Sequence, residues 1–193
     1  VCMSKKFIAF TGPGSSGKTT LIDSIDFKKI LGEEVFMINS HTRDLKSKGF
    51  PINADGSSET QINITIRHYE NVNNDLGQTC IFDRCVLDGF VYTKWLWQSN
   101  KIRNYVVRFA EGVYQDNFGK YDVVFYCKAD FDYVDDKDRD IPFTDREIIK
   151  RIYDTEIAIL QNLHYNKKTK IVELTGNVEE RKKTVEKVLD NLK

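Results

Sequence analysis

Gly12-Pro13-Gly14-Ser15-Ser16-Gly17-Lys18-Thr19 lies between the apolar run Phe7-Ile8-Ala9-Phe10 and an apolar-periodic segment that starts at Leu21. The spacing is G-x-x-x-x-G-K-[ST], in the strand, loop and helix context that gives this motif its meaning. Glycine lets a backbone wrap closely around an anion, so that consecutive N–H groups point inward at phosphate oxygens. The helix that follows adds the positive end of its dipole. Gly12, Gly14, Ser15, Ser16, Gly17 and Thr20 are therefore expected to cradle phosphates. Lys18 is placed to reach the β- and γ-phosphates, and the Thr19 hydroxyl to take a position on Mg²⁺. The loop specifies a nucleoside triphosphate and leaves its use open.

The rest of the chain alternates strand and helix patterns. Lys5 to Thr11 reads as the first strand, and residues 18 to 31 as one helix with Leu21, Ile22, Ile25 and Ile30 inward and Gly32 as its stop. Val35-Phe36-Met37-Ile38 reads as the second strand. It runs into the polar segment Asn39-Ser40-His41-Thr42-Arg43, at the strand end where open α/β sheets bind ligands. Residues 46 to 58 read as a loop. Ser57 or Ser58 then caps a helix with Ile62, Ile66, Tyr69 and Val72 on one face. Thr79 to Phe82 is a third strand ending in Asp83-Arg84, and residues 86 to 98 and 102 to 117 are helical, the second with Ile102, Val106, Phe109 and Val113 buried. Tyr121 to Cys127 is a fourth strand. An acidic, proline-bearing segment leads to a helix from about Asp145 to Leu163, then a fifth strand at residues 171 to 174 and a closing helix from Val178 to Leu192. Such alternation implies a parallel sheet with right-handed crossovers, covered by helices on both faces.

The 193 residues suit a single domain over residues 1 to 193. Lys+Arg and Asp+Glu both number 29, so the formal net charge is zero, and a polyanion-coating role is disfavoured. Cys2, Cys80, Cys85 and Cys127 form no C-x-x-C pair and read as reduced thiols, mostly buried in strands. With neither a membrane-length apolar run nor a signal-type N-terminus, the expected location is cytoplasmic.

Phosphoryl transfer also requires that the metal be held, the acceptor oriented and the charge offset. Asp83 follows an apolar strand directly, so in a parallel sheet its carboxylate emerges at the same edge as residues 12 to 19. There it is placed either to hold Mg²⁺ through water or to accept a proton from the acceptor hydroxyl; a helix cap or a partner for Arg84 is the plainer role. Arg84 is placed to contact an acceptor phosphate or to pair with a carboxylate. The segment from Asp130 to Arg146 has the composition of a mobile lid, with Arg139 and Arg146 to neutralise developing charge and acidic neighbours to solvate the open loop.

Gly12 to Thr19, Phe82-Asp83-Arg84, the strand Tyr121 to Phe125 followed by Asp136-Lys137-Asp138-Arg139-Asp140 and Arg146, and Leu174-Thr175-Gly176 together resemble the small P-loop kinases. The branch is the one similar to the ribosylnicotinamide-kinase domain of the NAD-biosynthesis regulator, which also holds many phage-type nucleoside and nucleotide kinases. The resemblance covers nearly the whole chain. It implies a three-layer P-loop NTPase-type parallel sheet of five strands in the order 2-3-1-4-5, with a mobile lid at about 130 to 146. It implies ATP and Mg²⁺ as cofactors, Asp83 in catalysis or on the metal, lid arginines on phosphates, and the loop near Gly176 against adenine. Relatives often carry an acidic residue after the second strand, where this chain has Asn39-Ser40-His41.

On the acceptor side, Arg43 lies past the second strand and Gln61 on the next helix, where an amide can make a paired contact with a base or a nicotinamide-like ring. In the resembling kinases this helix and the one after Asp83 wall the acceptor pocket, which makes Tyr69, Phe90 and Trp95 candidate stacking surfaces. His41 is a further candidate; His68 and His164 read as ordinary helix residues. The leading expectation is an ATP- and Mg²⁺-dependent kinase for a nucleoside- or nucleotide-like acceptor. A kinase acting on nucleic acid is the second reading, carried by Lys101-Ile102-Arg103, Lys167-Lys168-Thr169-Lys170 and Arg181-Lys182-Lys183. A switch that hydrolyses ATP slowly to change its partners is the third.

Overall fold

The computed structural model describes residues 5–74, 76–129, 141–162 and 168–192, without the side chains of Arg43 and Phe143. Five strands, β1 (Phe7–Thr11), β2 (Val35–Ile38), β3 (Thr79–Asp83), β4 (Val123–Cys127) and β5 (Lys170–Leu174), form one sheet in the order β2-β3-β1-β4-β5. Every pairing is parallel, with Phe10 opposite Asp83 on one side of β1 and Phe125 on the other. The fold class and the expected strand order are both observed.

Strand side chains alternate between faces, and here both faces are buried. Ile8, Phe10, Ile81, Val123 and Phe125 pack with Leu21 and Ile22 of α1 (Lys18–Asp23), Phe27 and Leu31 of α2 (Phe27–Leu31), and Val185 and Leu189 of α8 (Val178–Asp190). Ala9, Phe82, Val124 and Tyr126 face the opposite layer. There they meet α4 (Ser58–Asn73), α5 (Val86–Gln98), α6 (Asn104–Asn117) and α7 (Phe143–Asn162), through Val72, Phe90, Val106 and Tyr153 among others. Because all strands run the same way, the segments after β1, β2, β3, β4 and β5 emerge at one edge of the sheet.

Several local expectations differ. The helix expected over 18 to 31 is two helices. The Ser24 hydroxyl bonds back to the Leu21 carbonyl, and Asp26 caps α2 by accepting from the Lys29 N–H at 3.0 Å. A short helix, α3 (Thr42–Ser47), forms where loop was expected. On α4 the buried positions are Thr60, Gln61, Thr65 and Val72, while Ile66 and Tyr69 are exposed. Small polar side chains let α4 approach α5 closely, and the Thr93 hydroxyl donates to Gln61 Oε1 at 3.0 Å across that seam. Phe109 is likewise exposed, because the inward stripe of α6 runs through Val106, Val107, Ala110 and Tyr114. Ser57 caps α4 as expected, accepting from the Thr60 N–H at 3.1 Å. Cys80, Cys85 and Cys127 are buried free thiols, and burial raises the Cys85 and Cys127 thiols, the latter to about 11, so neither is a nucleophile at neutral pH. Cys2, Leu163, His164, Lys167 and residues 130 to 140, which include Arg139 and most of the segment expected to form a lid, lie outside the described residues. Among the described residues, no helix is long and apolar enough to cross a membrane.

Candidate active site

The glycine-rich loop leaves β1 in a conformation that only its sequence allows. Gly12 has φ 139, and a Cβ there would overlap the Cys127 carbonyl oxygen, so β4 and the loop approach as closely as they do only with glycine at this position. Ser15 and Gly17 both lie in the left-handed region, at φ 66 and φ 76, and turn the chain into α1. The Gly14 N–H donates to the Tyr92 hydroxyl at 3.0 Å, tying the loop to α5. Lys18 folds back into this loop: its Nζ donates to the Gly12 and Pro13 carbonyls, both at 2.7 Å, and to Ser16 Oγ at 3.1 Å. Burial first, and the neighbouring Arg84 guanidinium second, push the Lys18 pKa down to about 8. Thr19 and Thr20 are exposed at the start of α1.

Next to the loop stands a carboxylate that no sequence motif marks. Asp88, 2% exposed, is the third residue of α5 and completes a capping box with Cys85. Its Oδ2 accepts from the Cys85 N–H at 2.7 Å and the Thr11 hydroxyl at 2.9 Å. Its Oδ1 accepts from the Tyr153 hydroxyl at 2.7 Å, Arg84 Nη1 at 3.2 Å and the Gly12 N–H at 3.4 Å. Burial alone would raise this carboxyl, but the Arg84 guanidinium, the Lys18 ammonium and these donors outweigh it and hold it below the usual carboxylate range. Arg84 has φ 82, unusual for a side-chain-bearing residue, and its guanidinium also lies over the Tyr92 ring, 5.5 Å from the centroid. A left-handed non-glycine residue persists only where its surroundings hold it, and here the ion pair and the stacked ring do so. The only sequence sign of Asp88 was its place three residues after the cap of a helix.

These groups border one cavity of about 970 Å³. Gly14, Ser15, Gly17, Lys18, Thr19 and Thr20 line one part, and Asp83, Arg84, Gln61 and Arg146 are among the residues that line the remainder, so positions 18, 83 and 146 lie on the same cavity. Gly12 and Ser16 lie buried in the loop beneath. Gly176, with φ 80, is not among the lining residues, and the Arg43 side chain and Arg139 are not described.

The aromatic wall differs from expectation. Phe90 and Trp95 point into the core, Phe90 stacked on Tyr114 with centroids 5.1 Å apart, and Tyr69 faces solvent; among the described Phe, Tyr and Trp side chains, the one that lines the cavity is Tyr92. Helical geometry explains this, because Asp88 and Tyr92, four residues apart, share the face of α5 turned to the loop. His68 lines the cavity rather than standing as an ordinary helix residue, its imidazole pressed against Gly89, where a Cβ would come within 3.0 Å of Cδ2. Burial pushes the His68 pKa down to about 4 against the pull of Asp88. His41 sits at the start of α3 and is not among the lining residues. One basic cluster also loses a member, since Arg181 is buried and bonded to three main-chain carbonyls.

A family model described as an AAA domain, AAA_28, matches residues 7–181. No curated protein matches the sequence. Among solved structures, a deoxyadenosine kinase from M. mycoides with dCMP and dCDP bound superposes with a TM-score of 0.66 at 18% identity, over 97% of this chain and 100% of that one. The NadR protein in complex with NR gives a TM-score of 0.68 at 15% identity, over 97% of this chain and 51% of that one. At these identities the shared property is the fold, and it is the fold of the kinase branch that the sequence resembles.

Proposed function

The chain belongs to the AAA-domain family, and from that premise we propose that it transfers the terminal phosphoryl group of ATP, with Mg²⁺, to a hydroxyl or phosphate of a nucleoside- or nucleotide-like acceptor. The observation that carries the reading is that the phosphate loop and a second set of polar walls, Asp83, Arg84, Gln61 and His68, border the same cavity. A protein that only hydrolyses a nucleotide has no need of the second set. The deoxyadenosine kinase and NadR structures are those of proteins with nucleotides or NR bound, and that also supports an acceptor of nucleoside size.

In this reading the loop N–H groups and Lys18 take the phosphate oxygens, Lys18 exchanging the Gly12 and Pro13 carbonyls for them. The Thr19 hydroxyl and the Asp83 carboxylate are hard oxygen donors on the same cavity, a set that fits Mg²⁺, which takes one or two protein ligands beside phosphates and water. Among the described residues no cluster of three or more His, Cys, Asp or Glu could hold the ion, so the nucleotide must supply part of the coordination. When bound, the ion offsets charge on the phosphate oxygens. Asp88 is committed to five donors, and Asp83, at the carboxyl end of β3 and on the cavity wall, is the carboxylate this reading assigns to the acceptor. The acceptor oxygen forms the new bond to phosphorus, the bond to the ADP oxygen breaks, and a hydroxyl acceptor passes its proton to Asp83. Arg146, with Arg139 of the lid, neutralises the transferring group. Gln61, Arg43 and Arg84 position the acceptor, and the Gly176 turn lies toward adenine.

The test is incubation with labelled ATP and a panel of nucleosides, mononucleotides, nicotinamide riboside and oligonucleotides. Stoichiometric phosphorylated product, with little ATP loss when no acceptor is present, is expected. Acceptor-independent hydrolysis would establish the switch instead, and activity on oligonucleotides alone that falls steeply with salt would establish the nucleic-acid kinase.

A further inference from the structure

Arg181 lies on α8, 165 residues from Ser16, yet it is 2% exposed and its guanidinium reaches three main-chain carbonyls at the ligand-binding edge of the sheet. Nε donates to Gly176 O at 2.9 Å, Nη1 to Ser16 O at 2.9 Å and Nη2 to Lys128 O at 2.7 Å. These carbonyls belong to the turn after β5, to the phosphate loop and to the exit of β4. A planar guanidinium presents donors along three fixed directions at once, which an ammonium on the same stem cannot do.

The bond to Ser16 sets a direction as well as a distance. The described chain has no cis peptide bond, and in a trans peptide the C=O and the following N–H point opposite ways. With the Ser16 carbonyl turned toward Arg181, the Gly17 N–H is turned away from α8, on the side of the cavity that Gly17 lines. Gly17 holds this orientation at φ 76.

We propose that Arg181 is a positioning residue for the phosphate loop: it locks the Ser16–Gly17 peptide so that the Gly17 N–H meets the phosphate chain, and it couples that peptide to the Gly176 turn and the β4 exit. The proposal rests on reading residues 12 to 19 as the triphosphate site. A change at the Gly176 turn then reaches the phosphates through one side chain.

The test is calorimetric titration of ATP and of inorganic tripolyphosphate into the wild-type chain, Arg181→Lys and Arg181→Gly. Arg181→Lys binds both ligands about tenfold more weakly, the scale of one charge-assisted hydrogen bond, while KM for the acceptor is unchanged. Guanidinium ion, and not ammonium, restores tripolyphosphate binding to Arg181→Gly. A purely structural residue would instead lower the melting temperature and leave the dissociation constants of the folded protein as they were, and that result overturns the proposal. In the wild-type chain, which needs no variant to fold, the Gly17 amide and Arg181 Nε–H resonances shift together on tripolyphosphate addition; a Gly17 shift with Arg181 unmoved also overturns it. A wild-type chain that binds neither ligand removes the triphosphate reading itself, a failure distinct from either of these.

Discussion

Asp88→Asn removes a charge and almost no volume, so its effect isolates what the buried carboxylate does. Five donors converge on two oxygens, at 2.7 and 2.9 Å on Oδ2 and at 2.7, 3.2 and 3.4 Å on Oδ1. Asparagine has one oxygen, and whichever way its amide turns, an NH₂ group faces a donor that cannot reorient: the Cys85 N–H in one case, Arg84 in the other. A buried donor left unsatisfied costs about 1–3 kcal/mol. Breaking a buried ion pair costs about 3–5 kcal/mol, and the Arg84 side chain, 20% exposed, recovers part of that through water. The terms overlap, and a net loss of about 3 kcal/mol is expected. At about 2–4 °C per kcal/mol for a chain of this length, the melting temperature falls by about 6–12 °C. Differential scanning calorimetry at pH 7 measures it, with Asp154→Asn as control, since Asp154 accepts from the Tyr126 hydroxyl and is only part-buried. A double-mutant cycle with Tyr153→Phe should return a coupling of at least about 0.5 kcal/mol. The sign with pH is also fixed. A carboxyl held below its ordinary range stabilises fully above that range, and loses its contribution as pH falls through the depressed value, so the deficit of Asp88→Asn shrinks in acid. A melting temperature no lower than that of Asp154→Asn would refute the reasoning.

The remaining expectations concern the loop and the acceptor wall. Because the Lys18 pKa is pushed down to about 8 from 10.5, the unfolded chain binds more protons between those values and Lys18 adds stability as pH rises through that window. For the same reason, ATP binding above about pH 8 takes up a proton, and binding enthalpies that do not vary with the ionisation enthalpy of the buffer would contradict it. Gly12→Ala, which sets a Cβ against the Cys127 carbonyl at φ 139, destabilises by more than about 2 kcal/mol in urea titration. Asp83→Asn lowers kcat about 10²-fold or more with ATP affinity kept; a fall in ATP affinity alone would make Asp83 a binding residue. Gly89→Ala gains helix propensity but displaces the His68 imidazole, so KM for the acceptor rises while the melting temperature moves by less than about 4 °C; an unchanged KM would remove His68 from the acceptor wall.

The chain's local chemistry already carried the architecture. Apolar strands separated by helical patterns imply a parallel sheet, and the spacing of Gly12, Gly17 and Lys18 specifies a phosphate loop, because motif spacing and hydrophobic periodicity are properties of near neighbours in sequence. Asp83 was legible for the same reason: a carboxylate that directly follows a strand has one edge of the sheet to emerge from. What local pattern could not decide was which face of a helix is covered. Ile66, Tyr69 and Phe109 look like core and are exposed, while Thr65 and Gln61 look like surface and are buried, because the covering depends on where α5 and α6 lie. The same limit hid Asp88, His68, Tyr92 and Arg181. Each acts on groups tens of residues away, at distances that exist only once the sheet has gathered its strand ends at one edge, and no periodicity records a contact between Arg181 and Ser16.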